Sequence, residues 1–352
     1  MSDAQLPRVS ICLLTYKRAQ LLPRTLDSLL TQSHRDFELI INDDNSPDTT
    51  EEVCREYARR DPRIRYFKNS ENLRYAGNQN AAICRAATDY VGIVHDGDVY
   101  RADMVEKWAL ALTRHPTAAL VFNAVEVLDF DGKVVSTHRH PYGSHIPGRE
   151  LLDEMLESEG SPIFGIVMVR RSRVLEAGPF DIRLPVLADV DMWLRLLLKH
   201  DAAYIAEPLY AVSPRESDHQ NTYTNWRILA ERELIYGLNY RRRLASSCGT
   251  GATPPARRTL NRALWKTRAE QLFACLRHAE PRAFLQLVQY LRSKPFPLAV
   301  ANEAESAGSW DTYERMAATP SHREPALPHN GMARRSTPEH MGPRGAREMP
   351  GE

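Results

Sequence analysis

Short apolar runs alternate with segments whose apolar residues recur at helical spacing, and this alternation limits the chain to few architectures. Val9–Leu14 (VSICLL), Phe37–Asn42 (FELIIN), Ile64–Phe67 and Tyr90–Val94 (YVGIV) read as buried strands. Between the first two, Leu21, Leu22, Leu26, Leu29 and Leu30 fall on one helical face, with Pro23 in the first turn. Asp48 and Glu51 have capping-box spacing, so a helix is expected to start there and carry Val53 and Tyr57 inward. A further helix runs through Gly77, Asn80, Ile83 and Ala87. Strands and helices in this order predict an α/β fold, a mostly parallel sheet flanked by helices on both faces.

Past Tyr90–Val94 the alternation loosens. Asp103 and Glu106 repeat the capping spacing before a helix bearing Val105, Trp108 and Leu112. Ala119–Val127 and Ile163–Val169 read as strands, Arg149–Ser158 as a helix, and Ala202–Ala206 as a last short strand. From about Tyr223 the pattern is helical: Trp226–Leu244, Ala256–Ala279 and Pro281–Arg292, with Trp226 and Trp265 expected as core aromatics. Residues 318–352 are rich in proline and glycine and nearly devoid of large apolar side chains, the composition of a disordered tail. The expected division is therefore 1–222, a helical extension 223–317, and the tail 318–352.

Charge is balanced, with 46 basic and 45 acidic residues, which argues against nucleic acid as a partner. Cys12, Cys54, Cys84, Cys248 and Cys275 are scattered and never in C-x-x-C spacing, a pattern of reducing compartments and not of structural zinc. No secretory pattern opens the sequence, and no run reaches the roughly 18–20 apolar residues of a membrane span. A cytoplasmic protein is expected. The basic cluster Arg241–Arg243 leaves peripheral membrane contact open beside an ordinary solvated helix face.

Chemistry concentrates where the strand Tyr90–Val94 stops, at His95-Asp96-Gly97-Asp98. Carboxylates one residue apart at the C-terminal end of a buried strand lie where α/β sheets place ligands. Holding them close favours a cation such as Mg²⁺ or Mn²⁺ that also carries phosphate oxygens. Asp and Gly are equally the residues of a solvated turn. Asp44, in Asp43-Asp44-Asn45-Ser46, fits a turn before a helix, and Asp189 or Asp191 fits a helix N-cap.

Five stretches, taken in order, resemble the family 2 glycosyltransferases of the GT-A fold. Val9–Arg18 is similar to the family's opening strand and T-Y-N-R turn, with Lys17 in place of Asn. Phe37–Thr50 is similar to its D-D-G-S-x-D segment. Asn72–Asn80 resembles the N-x-G…R-N stretch, with Arg74 for the Gly and Gln79 for the Arg. Asp96-Gly97-Asp98 fits the D-x-D motif. Gly178–Asp181 and Ala188–Arg195 resemble G-x-F-D…E-D-x-D-L-W-L-R, with Ala188 replacing the Glu.

The resemblance implies a GT-A nucleotide-binding sheet and an inverting, metal-dependent transfer of sugar from a nucleotide-sugar, of UDP type, to a sugar or glycolipid acceptor. It implies Asp189 as catalytic base, with Asp191 as the substitute, and Asp98 as ligand of Mn²⁺ or Mg²⁺, joined by His219. Thr15, Tyr16, Arg18, Asp44, Asn80 and Asp96 are implied around the donor, Asp44 on uracil and Asp96 on ribose or a metal-bound water. Ala188 motivates a competing reading, a non-catalytic nucleotide-sugar-binding or scaffold protein. A nucleotidyltransferase is disfavoured because Thr15–Leu22 lacks the glycines of a phosphate loop.

Overall fold

The unbroken apolar run of β1 (Val9–Thr15) requires cover on both faces, and all seven of its residues are buried. The computed structural model describes residues 6–158, 160–214, 226–247, 257–277 and 281–293. After β1 come α1 (Leu22–Leu30), β2 (Phe37–Asp43), α2 (Thr50–Arg60), β3 (Ile64–Lys68), α3 (Arg74–Arg85) and β4 (Tyr90–His95). Then follow β5 (Val99–Tyr100), α4 (Met104–Arg114), β6 (Ala118–Leu128), β7 (Val134–His138), β8 (His145–Ile146) and α5 (Gly148–Ser158). The remainder is β9 (Val167–Arg170), α6 (Arg171–Ala177), α7 (Ala188–Leu197), β10 (Asp201–Val212), α8 (Trp226–Ala245), α9 (Arg257–Arg277) and α10 (Pro281–Ser293).

One sheet runs in the order β3-β2-β1-β4-β9-β6-β10-β5, with β7 on β6 and β8 on β10. The first four strands are parallel, as the alternation predicts. The other half is mixed. β9 enters antiparallel between β4 and β6, while β10 runs parallel to β6. Strand order reverses between β1 and its two neighbours, β2 and β4. Such a reversal opens a crevice at the strands' C-terminal ends.

Strand side chains alternate between two cores. On one face Val9, Ile11 and Leu13 pack with Leu26 of α1, Cys54 of α2 and Trp108 of α4. On the other, Cys12 and Leu14 join Ile83 of α3, Leu151 of α5 and Trp193 of α7. The helical extension adds Ile235, Tyr236 and Leu264 to this second core, so α8 and α9 continue its packing.

Several local expectations change. No side-chain cap bond forms at α2 or α4; Asp48 instead accepts from Thr50 N–H at 3.3 Å, and Asp103 pairs with Lys107. Ile163–Ile166 is loop and not strand, leaving β9 short. Trp265 is 50% exposed and is not a core aromatic. The side chain of Trp226, His219, Cys248 and the tail 318–352 lie outside the described residues. No described helix is long and apolar enough to cross a membrane.

Candidate active site

The turn His95–Tyr100 is fixed by two hydroxyls. Gly97 takes φ +84°, a left-handed conformation that an L side chain adopts only with strain. Its N–H donates to the buried Thr25 Oγ1 at 3.0 Å, and Thr25 Oγ1 donates to Asp98 C=O at 3.0 Å. Tyr100 Oη accepts from His95 N–H at 2.9 Å and donates to His95 C=O at 2.8 Å. α1 and β5 therefore fix the backbone that carries Asp96 and Asp98.

Both carboxylates are buried, at 8% and 1% exposure. Asp96 accepts from Tyr16 N–H at 3.2 Å and lies 3.8 Å from Arg18 Nε, so it turns toward the end of β1. Asp98 accepts from Ser213 N–H at 3.1 Å and lines a cleft of about 340 Å³ with His95, Phe164, Gly165, Ile166, Val212 and Ser213. The Ser213 hydroxyl in that wall is buried and has no hydrogen-bond partner. Among the described residues no group of three or more His, Cys, Asp or Glu is arranged to hold a metal alone. One carboxylate beside an unpartnered hydroxyl suits a hard cation that takes its other ligands from a diphosphate and water.

Around the end of β1, Thr15 Oγ1 is buried without a partner, and the Tyr16 ring is 39% exposed. Asp44 N–H donates to Thr15 C=O at 3.0 Å. The Asp44 carboxylate accepts from Asn69 Nδ2 at 3.0 Å and Leu73 N–H at 2.8 Å, and burial raises its pKa. Lys17 and Arg74 both sit at positive φ, 56° and 61°. That geometry explains why Asn and Gly suit these two positions better.

α7 approaches the cleft's Gly165 through Asp189. Asp189 lies in its first turn and is half-buried, with Oδ1 accepting from Val190 N–H at 2.8 Å. Burial, with a smaller contribution from the charge of Glu231, pushes its carboxyl up to about 6. Gly165 occupies the floor: a Cβ there would lie 2.7 Å from Tyr75 Oη, 2.9 Å from His95 Cε1 and 3.1 Å from Asp189 Oδ2. Tyr75 Oη is 3.3 Å from His95 Nε2. Three polar groups from α3, β4 and α7 thus meet over Gly165, where a side chain would press against them, beside the cleft that Asp98 lines.

Residues 10–176 match the model of glycosyl transferase family 2. The Bacillus subtilis (strain 168) putative teichuronic acid biosynthesis glycosyltransferase TuaG is 30% identical over 200 residues, covering 56% of this chain and 75% of that protein. The chain is a family 2 glycosyltransferase. The putative glycosyltransferase EpsE of the same organism is 28% identical over 215 residues, 58% of this chain and 73% of EpsE. The fold of the transferase is that of S. aureus TarS 1–349, solved with UDP-GlcNAc, at a TM-score of 0.54 and 13% identity over 82% of this chain and 92% of that one.

Two expected site residues have other tasks in the transferase. Asn80 is fully buried, with Nδ2 donating to Phe180 C=O at 3.0 Å and Oδ1 accepting from Phe180 N–H at 2.8 Å. It ties α3 to the loop before α7 and is not placed for a donor. Asp191 is buried and saturated by Arg195 Nε at 2.7 Å, Asn239 Nδ2 at 2.9 Å and Arg242 at 3.3 Å. Those partners engage both of its oxygens, and it does not line the cleft beside Asp98. Ala188 is fully buried against the core.

The sequence reading missed Glu231. From α8, its Oε2 accepts from Val186 N–H at 3.0 Å and Leu187 N–H at 2.9 Å, clamping the turn that starts α7. Its Oε1 is buried without a partner, and burial raises its pKa. A carboxylate thus reaches this turn from the helical extension and not from position 188. Nothing local in the sequence signals it, nor the meeting of Tyr75, His95 and Gly165.

Proposed function

We propose that the transferase moves a sugar from a UDP-sugar to an acceptor hydroxyl with inversion, in the building of a glycoconjugate. The observation that carries this reading is the pair of carboxylates beside one cleft: Asp98 in its wall and Asp189 past His95 and Gly165. Asp44 accepts from the uracil N–H, Tyr16 stacks on the base, and Thr15 Oγ1 finds a partner in the nucleoside. Asp96 orients the ribose with Arg18 alongside. Asp98, with the Ser213 hydroxyl, would hold Mn²⁺ or Mg²⁺. Bound there, the cation supplies the positive charge that a departing diphosphate needs.

The acceptor hydroxyl enters over Gly165, where the missing side chain leaves room. Asp189 takes its proton as the oxygen attacks the anomeric carbon, and the sugar–diphosphate bond breaks with its electron pair leaving on UDP. A base whose pKa is about 6 is mostly ionised near neutrality yet still basic enough to act. The name of TuaG, a protein of teichuronic acid biosynthesis, supports a sugar-polymer or glycolipid acceptor. The division at residues 222 and 317 belongs to the same reading, with the first part carrying the chemistry.

The test is transfer from α-linked UDP-sugars in Mn²⁺, with the product anomer read by proton NMR. A β-linked product is expected. A retained α linkage would refute the single displacement.

A further inference from the structure

The helical extension carries an outward stripe that the transfer reaction does not use. α9 buries one side and exposes apolar residues on another. Its inner side, with Leu264 and Cys275 at 0% and 1% exposure, packs into the protein. Its outer side bears Trp265, Phe273 and Leu276, exposed by 50%, 66% and 62%. With Ala269, also exposed, they recur at spacings of four, four and three residues, which lines them along one helical face. Large aromatic and aliphatic side chains gathered on one exposed face mark a binding surface more often than lone exposed ones do.

Charge identifies the partner. Arg258, Arg262, Lys266 and Arg277 are exposed around the stripe, against a single exposed Glu270 within 3.6 Å of Lys266. The stripe faces outward, because Arg268 on the inner side pairs with buried Glu233 of α8 at 2.6 Å. Tyr290 of α10 donates to the same carboxylate at 2.7 Å. Basic residues flanking a Trp/Phe/Leu stripe match the interface of an anionic bilayer, where rings sit among headgroups and Arg and Lys reach phosphates.

We propose that the outer face of α9 docks the transferase on anionic lipid, with Trp265, Phe273 and Leu276 entering the headgroup region. The proposal stands apart from the donor assignment, since none of these residues lines the cleft.

Flotation of the full chain with phosphatidylcholine vesicles, with and without phosphatidylglycerol, tests it. Binding is expected only with the anionic lipid and falls as salt rises. Phe273→Ser/Leu276→Ser is expected to lose at least tenfold in affinity, and Arg262→Gln/Lys266→Gln roughly fivefold per removed charge. Trp265 emission should shift to the blue on binding, a shift absent in Trp265→Phe. Circular dichroism melting checks that each variant folds, and UDP titration reports the donor site separately. No binding, equal binding to neutral vesicles, or variants that bind like the wild type would overturn the proposal. So would a dimer in light scattering that Phe273→Ser/Leu276→Ser converts to monomer, because the stripe would then be a subunit interface.

Discussion

Replacing Asp189 by Asn should damage catalysis and strengthen the fold at once. Burial raises this carboxyl from its ordinary 3.8 to about 6, so the folded protein binds its proton more tightly than the unfolded chain does. The stability this confers is fully present below about pH 4 and is lost as pH rises through about 6. At pH 8 the wild type carries an ionised group in a poorly solvated place, at a cost of at most about 3 kcal/mol. Asn carries no charge, and its side-chain oxygen can keep the 2.8 Å bond from Val190 N–H. The variant should therefore melt higher at pH 8, by roughly 2–4 °C per kcal/mol recovered, and match the wild type at pH 4. Its kcat should fall by roughly 10²–10⁴ with UDP affinity nearly unchanged, the mark of an interaction made in the transition state. Calorimetric melting at both pH values, with initial rates, reads both effects. A lower melting temperature at pH 8, or a kcat within twofold of wild type, would refute the assignment.

Glu231→Gln keeps an acceptor for Val186 and Leu187 N–H but removes the charge facing Asp189. The acid limb of kcat/KM, expected near pH 6 in the wild type, should move to lower pH while donor KM stays constant; an unmoved limb counts against that influence. Thr25→Val leaves Gly97 N–H and Asp98 C=O without their partner. Urea unfolding should register a loss of roughly 1–3 kcal/mol, and UDP affinity should drop because the turn loosens; a variant as stable and as tight-binding as wild type would contradict the role of this hydroxyl.

The parallel half of the sheet was legible because strands covered on both faces must be continuous apolar runs, as in VSICLL and FELIIN. The mixed half was not. β9 pairs with two distant strands, and the loop Ile163–Ile166 carries the same apolar residues as a strand would. At the site, Asp96, Asp98 and Asp189 stood out by type and order. Asp189 and Asp191 could not be told apart by sequence: two residues on a helix point to different sides, and in the structure Asp191 meets Arg195 and Asn239 while Asp189 lies near Gly165. Asn80 was expected at the donor from the resemblance of Asn72–Asn80 to the family's stretch, and its bonds to Phe180, a hundred residues on, could not be read locally. Glu231 was invisible for the same reason, since its value lies in reaching back from α8 to the turn before α7.

If the cleft beside the Asp96-Gly97-Asp98 turn is a cation-assisted uridine diphosphate site, isothermal titration of UDP and GDP into the wild type and Asp98→Asn, each in Mn²⁺ and in EDTA, should show it. Tight UDP binding is expected for the wild type in Mn²⁺ only, with a large loss in EDTA or in Asp98→Asn and weaker GDP binding throughout. UDP binding that is equal in Mn²⁺ and EDTA, or GDP binding tenfold tighter than UDP, would contradict it.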